Sequence, residues 1–278
     1  MKSTLKFVED NQIPADILAR PDLFQYLMQV DGQTYRSVAT RQTLKVRLGG
    51  RDYFIKRHQG VGWREIFKNW LTLKRPVVSA RNEVEAIQAL NALSIPTTPY
   101  VGHGIQGCLP ASLQSFVMTK DLGDIVTLED VALTWQTQRP RLRYKRALIR
   151  RVAEIAGTLH AHGIYHRDFY ICHFCFKREE AKHCPPQLYV LDLHRVEIYK
   201  HLNVTMQMKD LAGLYFSAFP MNLTKMDVFY FLKHYKFGFK RHESNLEPLS
   251  NHSLEKVSKR AISLRLKYLK KIDQGRVL

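Results

Sequence analysis

Two hundred and seventy-eight residues, 45% hydrophobic and 24% charged, make an ordinary globular composition with room for one large domain or two lobes. Disordered, collagenous and fibrous classes are excluded, and four cysteines are too few for a disulfide scaffold. Forty-three Lys and Arg against 25 Asp and Glu leave a net charge of +18, which draws polyanions: nucleic acid, anionic membrane, phosphorylated glycolipid or an acidic protein.

No apolar run approaches the ~20 residues of a spanning helix. Met1 to Asn11 lacks an apolar core followed by a cleavage site, so a cytosolic chain with reduced thiols is expected. Pro14 and Pro21 interrupt the first stretch, which predicts irregular structure with brief helical turns and an N-terminal extension over residues 1–28. From Thr43 the pattern alternates: Leu44, Val46 and Leu48 share one face, then Gly49-Gly50, then Tyr53 and Ile55. Two glycines between alternating runs signal a tight hairpin, because both turn positions need φ > 0. Ser79 to Leu93 predicts a helix with Val84, Ile87, Leu90 and Leu93 apolar, ended by Pro96. Val101–Gln106 and Gln114–Met118 predict strands, and Gly123–Trp135 a connection with helical stretches. Arg143 to His162 has a clear helical stripe, Leu148, Val152, Ile155 and Leu159, with Gly163 as its stop. Small strands follow at Phe174–Lys177 and Leu188–Leu193, then a helical remainder ending in Leu254–Lys271. Strands early and helices late predict an α+β chain of two lobes, residues 29–118 and 124–278, joined by 119–123.

The chemistry concentrates in Ile164-Tyr165-His166-Arg167-Asp168-Phe169-Tyr170-Ile171-Cys172-His173, directly after the long helix, and in Asp192 after the apolar run Leu188–Leu191. A His-Arg-Asp triplet in such a loop, followed by an Asp after a strand, is the kinase arrangement. Phosphoryl transfer needs one carboxylate to take the acceptor hydroxyl's proton and a second to hold the magnesium bridging the β- and γ-phosphates. Lys56, ending the apolar run Tyr53-Phe54-Ile55, is placed to contact the α- and β-phosphates. Glu83 on the next helix is placed to pair with it, in preference to Glu85. Asp210 matches the helix-borne Asp that braces a catalytic loop.

These residues, with Phe174, Asp192-Leu193-His194-Arg195 and Ala80-Arg81-Asn82-Glu83, resemble the lipopolysaccharide core heptose I kinases of Gram-negative bacteria, from about Gln29 to the C-terminus. The resemblance implies a two-lobed, protein-kinase-like fold and ATP-dependent phosphorylation of the first inner-core heptose at the cytoplasmic face of the inner membrane. It implies ATP between the lobes, with adenine against the backbone of Met118, Lys120 and Leu122. Asp168 would act on the heptose hydroxyl and Asp192 would bind Mg2+. His173 stands where protein kinases place an Asn, so it either fills the second metal contact or hydrogen-bonds within the loop. The glycine-rich loop is degenerate, with Gly32 alone between Asp31 and Arg41, so Arg36 and Arg41 are candidates for phosphate contact instead.

Other signals have plainer readings. Gly102-His103-Gly104-Ile105-Gln106-Gly107 fits a dinucleotide fingerprint but is followed by Cys108-Leu109-Pro110 rather than a helix, so a loop between strands is expected. Cys172 and Cys175 lie beside several histidines, yet buried thiols are the better expectation than zinc. Basic runs at Arg139–Arg151, at Lys56–Arg75 with Trp63, Phe67 and Trp70, and in the C-terminal helix suit a polyanionic lipopolysaccharide core and the anionic leaflet. The same surface suits an acidic partner such as acyl carrier protein. Nucleic acid is not expected, since no reader module is present. A kinase for another acceptor, and a non-catalytic docking protein of kinase shape, remain the alternatives.

Overall fold

The computed structural model describes residues 3–9, 12–38, 40–60, 62–63, 79–109, 111–240 and 249–276. The chain divides into two compact units, and the first comprises Met1–Ala89 and Thr98–Leu122. It runs β1 (Ser3–Phe7), α1 (Ala15–Leu18), α2 (Leu23–Gln29), β2 (Gln33–Val38), β3 (Arg41–Leu48), β4 (Arg51–Gln59), α3 (Arg81–Ala92, which crosses the division), β5 (Tyr100–Gln106) and β6 (Gln114–Lys120). The strands form one antiparallel sheet in the order β1-β5-β6-β4-β3-β2.

Alternation sets which face of this sheet is buried. Gly49 and Gly50, at φ 56° and 78°, turn β3 into β4 with Leu48 opposite Arg51. That register puts Leu44, Val46, Leu48, Tyr53 and Ile55 on one buried face. Leu23, Phe24, Leu27 and Met28 of α2 complete the same core. The described residues among 1–28 are therefore part of the first unit and no extension. β1 pairs with β5 from Ser3↔Gln106 to Phe7↔Gly102, and α2 supplies core side chains.

Two further expectations change here. The segment after Asp31 is a strand, not a loop: Arg36 lies opposite Thr43, and Arg41 lies opposite Val38 on one side and His58 on the other. Gly102 and Gly104 of the fingerprint-like segment lie within β5, where neighbouring rings cover them, and Gly107 follows the strand at φ 109°. A Cβ on Gly102 would fall 2.2 Å from a Phe7 ring carbon, and one on Gly104 2.5 Å from a Phe116 ring carbon.

The second unit comprises Leu90–Thr97 and Gly123–Leu278. It runs β7 (Ile125–Thr127), α4 (Leu128–Thr137), α5 (Leu142–Ala161), β8 (Ile164–Tyr165), β9 (Phe174–Lys177), β10 (Tyr189–Val190), β11 (Glu197–Ile198), α6 (Val204–Ser217), α7 (Lys225–Lys240) and α8 (Asn251–Asp273). Thr127 caps α4 in a reciprocal box: its hydroxyl accepts from the Asp130 amide at 3.1 Å, and the Asp130 carboxylate accepts from the Thr127 amide at 2.9 Å. β10 is shorter than the run Leu188–Leu193 predicts, because Asp192 takes the left-handed conformation at φ 58°.

The predicted stripe of α5 is buried, with Leu148, Val152, Ile155 and Leu159 at 1–7% exposure. α5 meets α7 through glycines: a Cβ on Gly157 would lie 2.4 Å from the Tyr235 carbonyl oxygen, and one on Gly238 2.8 Å from that of Glu154. Both obstacles are backbone, so neither can rotate away. Gly157→Ala should therefore cost about 2–3 kcal/mol through overpacking, read as a melting temperature lower by about 5–10 °C. An unchanged melting temperature would show that the two helices separate at little cost.

Candidate active site

In the first unit, alternation along β4 decides which basic residue is available. Tyr53, Ile55 and Arg57 face α2, and the Arg57 guanidinium donates to the carbonyls of Leu27 at 2.9 Å and Val30 at 2.5 Å. Lys56 points to the opposite face, where its Nζ donates to Glu83 Oε1 at 2.7 Å. Glu83 is buried, and its Oε2 has no hydrogen-bond partner among the described residues. Glu85 lies exposed beside Arg81 at 3.6 Å, so the geometry separates the two glutamates as the sequence order suggested.

The segment expected to meet adenine is partly committed to the sheet. Met118 is fully buried in the core, opposite Ile55. The Lys120 amide donates to Pro99 at 2.8 Å and the Asp121 amide to Asp52 at 3.1 Å, so neither amide is open to a base edge. Leu122 ends the unit.

In the second unit, β8 leads into His166-Arg167-Asp168. Asp210, on α6 and 2% exposed, accepts from the amides of His166 at 2.8 Å and Arg167 at 2.9 Å. This is the brace its place in the sequence predicted. It holds Arg167 in the left-handed region at φ 71°, a conformation that an unconstrained Arg avoids. Behind it runs a line of buried polar groups: His160 Nε2 lies 3.5 Å from Asp210, His160 Nδ1 lies 2.9 Å from the Tyr235 hydroxyl, and that hydroxyl donates to Gln207 at 3.3 Å.

The three residues of the triplet have separate duties. His166 is fully buried, with neither ring nitrogen hydrogen-bonded among the described residues, and burial pushes its pKa down. It packs as a neutral ring against Phe169 and His173. Arg167 pairs with Glu197 of β11 at 2.7 Å, both largely buried, and the Tyr199 hydroxyl donates to the same carboxylate. Asp168 accepts from Arg195 through Oδ1 at 2.6 Å. Sequence reasoning missed Glu197 and the contact of Arg195 with Asp168. No spacing rule predicts either pair.

Asp192 lies on the same unit. His194 Nδ1 is 2.6 Å from its Oδ1, and His173 Nε2 is 3.7 Å from its Oδ2. His173 Nδ1 meets the Asp168 carbonyl at 2.6 Å; a carbonyl only accepts, so Nδ1 carries the proton. The other ring nitrogen, Nε2, then faces Asp192 Oδ2 at 3.7 Å. Magnesium is held elsewhere by one or two carboxylates together with substrate phosphates, and Asp192 fits that demand. Imidazole nitrogen is the poorer ligand for so hard a cation. Among the described residues, no group of three or more His, Cys, Asp or Glu could hold a metal by itself. Burial pushes the Cys172 thiol up to about 11 and the Cys175 thiol up to about 12, which keeps both as neutral thiols near pH 7.

The basic runs are unequal as docking surfaces. Lys56 and Arg57 are engaged within the first unit, Trp63 is half exposed, and Phe67, Trp70 and the rest of that run lie outside the described residues. In the run on α5, Lys145 pairs with Asp227 at 2.7 Å and Arg150 with Glu154 at 2.7 Å. Arg143, Arg146, Arg150 and Arg151 line a groove of about 1410 Å³ within the second unit.

The model of the lipopolysaccharide kinase (Kdo/WaaP) family matches residues 25–235. The chain is 40% identical over 215 residues to the lipopolysaccharide core heptose(I) kinase WaaP of Pseudomonas aeruginosa, covering 77% of this chain and 80% of that one. Against the lipopolysaccharide core heptose(I) kinase WaaP of Escherichia coli K12 it is 36% identical over 250 residues, covering 86% and 92%. A solved structure of WaaP in complex with acyl carrier protein matches with a TM-score of 0.76 at 30% identity, over 94% of this chain and 99% of that one. The α+β, two-lobed kinase-like fold expected from the sequence is thus the fold of a solved relative.

Proposed function

The chain belongs to the lipopolysaccharide kinase (Kdo/WaaP) family, and on that footing we propose that it transfers the γ-phosphoryl group of ATP to the first inner-core heptose of lipopolysaccharide. The observation that carries the reading is the Asp168 carboxylate on a loop braced by Asp210, in a chain 40% identical to a heptose(I) kinase.

Each residue's part follows from its chemistry. Lys56, oriented by Glu83, holds the nucleotide's phosphates as a localised positive charge. Arg195 occupies Oδ1 of Asp168, which leaves Oδ2 to accept the proton of the heptose hydroxyl. As that proton leaves, the hydroxyl oxygen bonds to the γ-phosphorus and the bond to the β–γ bridging oxygen breaks, releasing ADP. Mg2+, when bound through Asp192, neutralises charge on the β- and γ-phosphate oxygens. His194 fixes the Asp192 carboxylate, and His173 braces the loop through the Asp168 carbonyl and offers Nε2 as a second contact. The backbone from Met118 to Leu122 is the proposed adenine contact, narrowed by the committed amides of Lys120 and Asp121 to the remaining groups.

The acceptor is polyanionic and lipid-linked, and no helix among the described residues is long and apolar enough to cross a membrane. The net charge of +18 supports peripheral work at the cytoplasmic face of the inner membrane. Acyl carrier protein, the partner in the solved WaaP complex, is a proposed second partner on the same electrostatic grounds.

The test is mass spectrometry of core oligosaccharide from cells lacking this chain, with purified protein, ATP and the recovered oligosaccharide as the reverse experiment. A phosphate missing from the innermost heptose and restored in vitro supports the reading; a phosphate lost from another sugar, or none lost, overturns it. Within it, Lys56→Met should lower kcat/KM for ATP by about a hundredfold, since the phosphate contact and the ammonium paired with buried Glu83 Oε1 go together. A variant within threefold of the parent would remove Lys56 from the site.

A further inference from the structure

α8 carries two apolar faces where a packed helix needs one. Val257 and Ala261 are buried, and Leu254, Leu264 and Tyr268 continue that inward stripe; the Tyr268 ring meets Phe216 of α6 at 5.9 Å. A second row, Ile262, Leu266, Leu269 and Ile272, stands 50%, 56%, 39% and 43% exposed. Spacings of four and three residues keep Ile262, Leu266 and Leu269 on one side of the helix, and Ile272 lies beside them one turn beyond Tyr268. Lys259, Lys267, Lys270 and Lys271 flank it, and the last three have no acidic partner within ion-pair distance among the described residues. Four branched aliphatics in water have an unfavourable exposure that nothing else among the described residues relieves.

We infer that the last three turns of α8 lie in the surface of an anionic bilayer, with Ile262, Leu266, Leu269 and Ile272 at the acyl boundary and the lysines on lipid phosphates. The inference rests on the peripheral membrane reading above and names the element that makes the contact. An exposed aliphatic row bordered by lysines is the pattern of a helix lying in the interfacial plane. The helix does not meet the requirements for crossing a membrane. Lysine stems extend along apolar surface while their ammonium groups reach the headgroups. A second copy of this chain is a poor occupant, because it would bring two lysine-rich faces together with Glu255 and Asp273 as the only acids on each helix.

The test is co-sedimentation of the full chain with vesicles of phosphatidylcholine alone and with phosphatidylglycerol added, across a salt series. The parent should sediment with the anionic vesicles and be released by salt. L266D/L269D should lower the partition coefficient at least about tenfold, and K267E/K270E should weaken binding while flattening the salt dependence. Both variants change exposed positions, so the melting temperature and the rate on water-soluble core oligosaccharide should match the parent. A parent that ignores every vesicle sinks the membrane reading itself. A parent that binds with L266D/L269D binding equally leaves that reading standing and removes α8 from it. Loss of acyl carrier protein capture in L266D/L269D with vesicle binding intact assigns the row to an acidic protein, and a leucine-dependent dimer in sedimentation assigns it to self-association; either overturns the inference.

Discussion

Asp168→Asn should lower turnover by about a thousandfold, the middle to upper range of what a positioned base contributes. The substitution keeps the side chain's shape, and the amide oxygen can still accept from Arg195, now 2.6 Å from Oδ1. What disappears is the capacity to take a proton. The effect should therefore fall on kcat, with the KM for ATP unchanged, because Lys56 and Glu83 are untouched. Stability should change by less than about 1 kcal/mol, since Arg195 is 38% exposed and such pairs contribute little. Initial rates against ATP and acceptor, beside a melting curve, check both halves. Activity within tenfold of the parent would mean that the hydroxyl loses its proton elsewhere. Arg195→Gln completes the argument: it frees Oδ1 and removes a cation beside the reacting hydroxyl. A changed KM for acceptor with an unchanged KM for ATP would place Arg195 on the acceptor side.

Parts of this site were legible in the sequence because they rest on local patterns. The β3–β4 hairpin follows from alternation and two glycines, and that register sends Lys56 to one face of the sheet and Arg57 to the other. Position also favoured Glu83 over Glu85, and burial separates them. The elements missed have short or tertiary causes. α1 has four residues and α2 seven, too few for a helical period to stand out between Pro14 and Pro21, yet α2 supplies four residues of the core. β2 is exposed throughout and so has no apolar alternation to find. Gly157 and Gly238 carried a usable signal: a glycine within a periodic helix costs about 1 kcal/mol against alanine and needs a packing reason, here the backbone of the partner helix. The pair of Arg167 and Glu197 had none, because it forms only when β8 and β11 are side by side.

The same distinction gives Asp210→Ala an effect out of proportion to one carboxylate. Its two oxygens receive two consecutive amides of the catalytic loop, and truncation leaves one buried and one partly buried donor without that acceptor. Each unsatisfied donor costs about 1–3 kcal/mol, so a loss of about 3–5 kcal/mol is expected. Arg167 then loses its backbone brace at φ 71°, and relaxation toward the right-handed region would swing Asp168 away from its present contact with Arg195. Activity should thus fall by about a hundredfold or more even at temperatures where the protein is fully folded. Asp210→Asn sharpens the result, since its amide keeps one acceptor oxygen: it should recover part of the stability and little of the rate. Urea unfolding alongside kcat separates the two effects. If Asp210→Ala loses stability but turns over like the parent in the cold, the loop keeps its shape without the brace. The left-handed Arg167 is then stabilised by its buried pair with Glu197 instead.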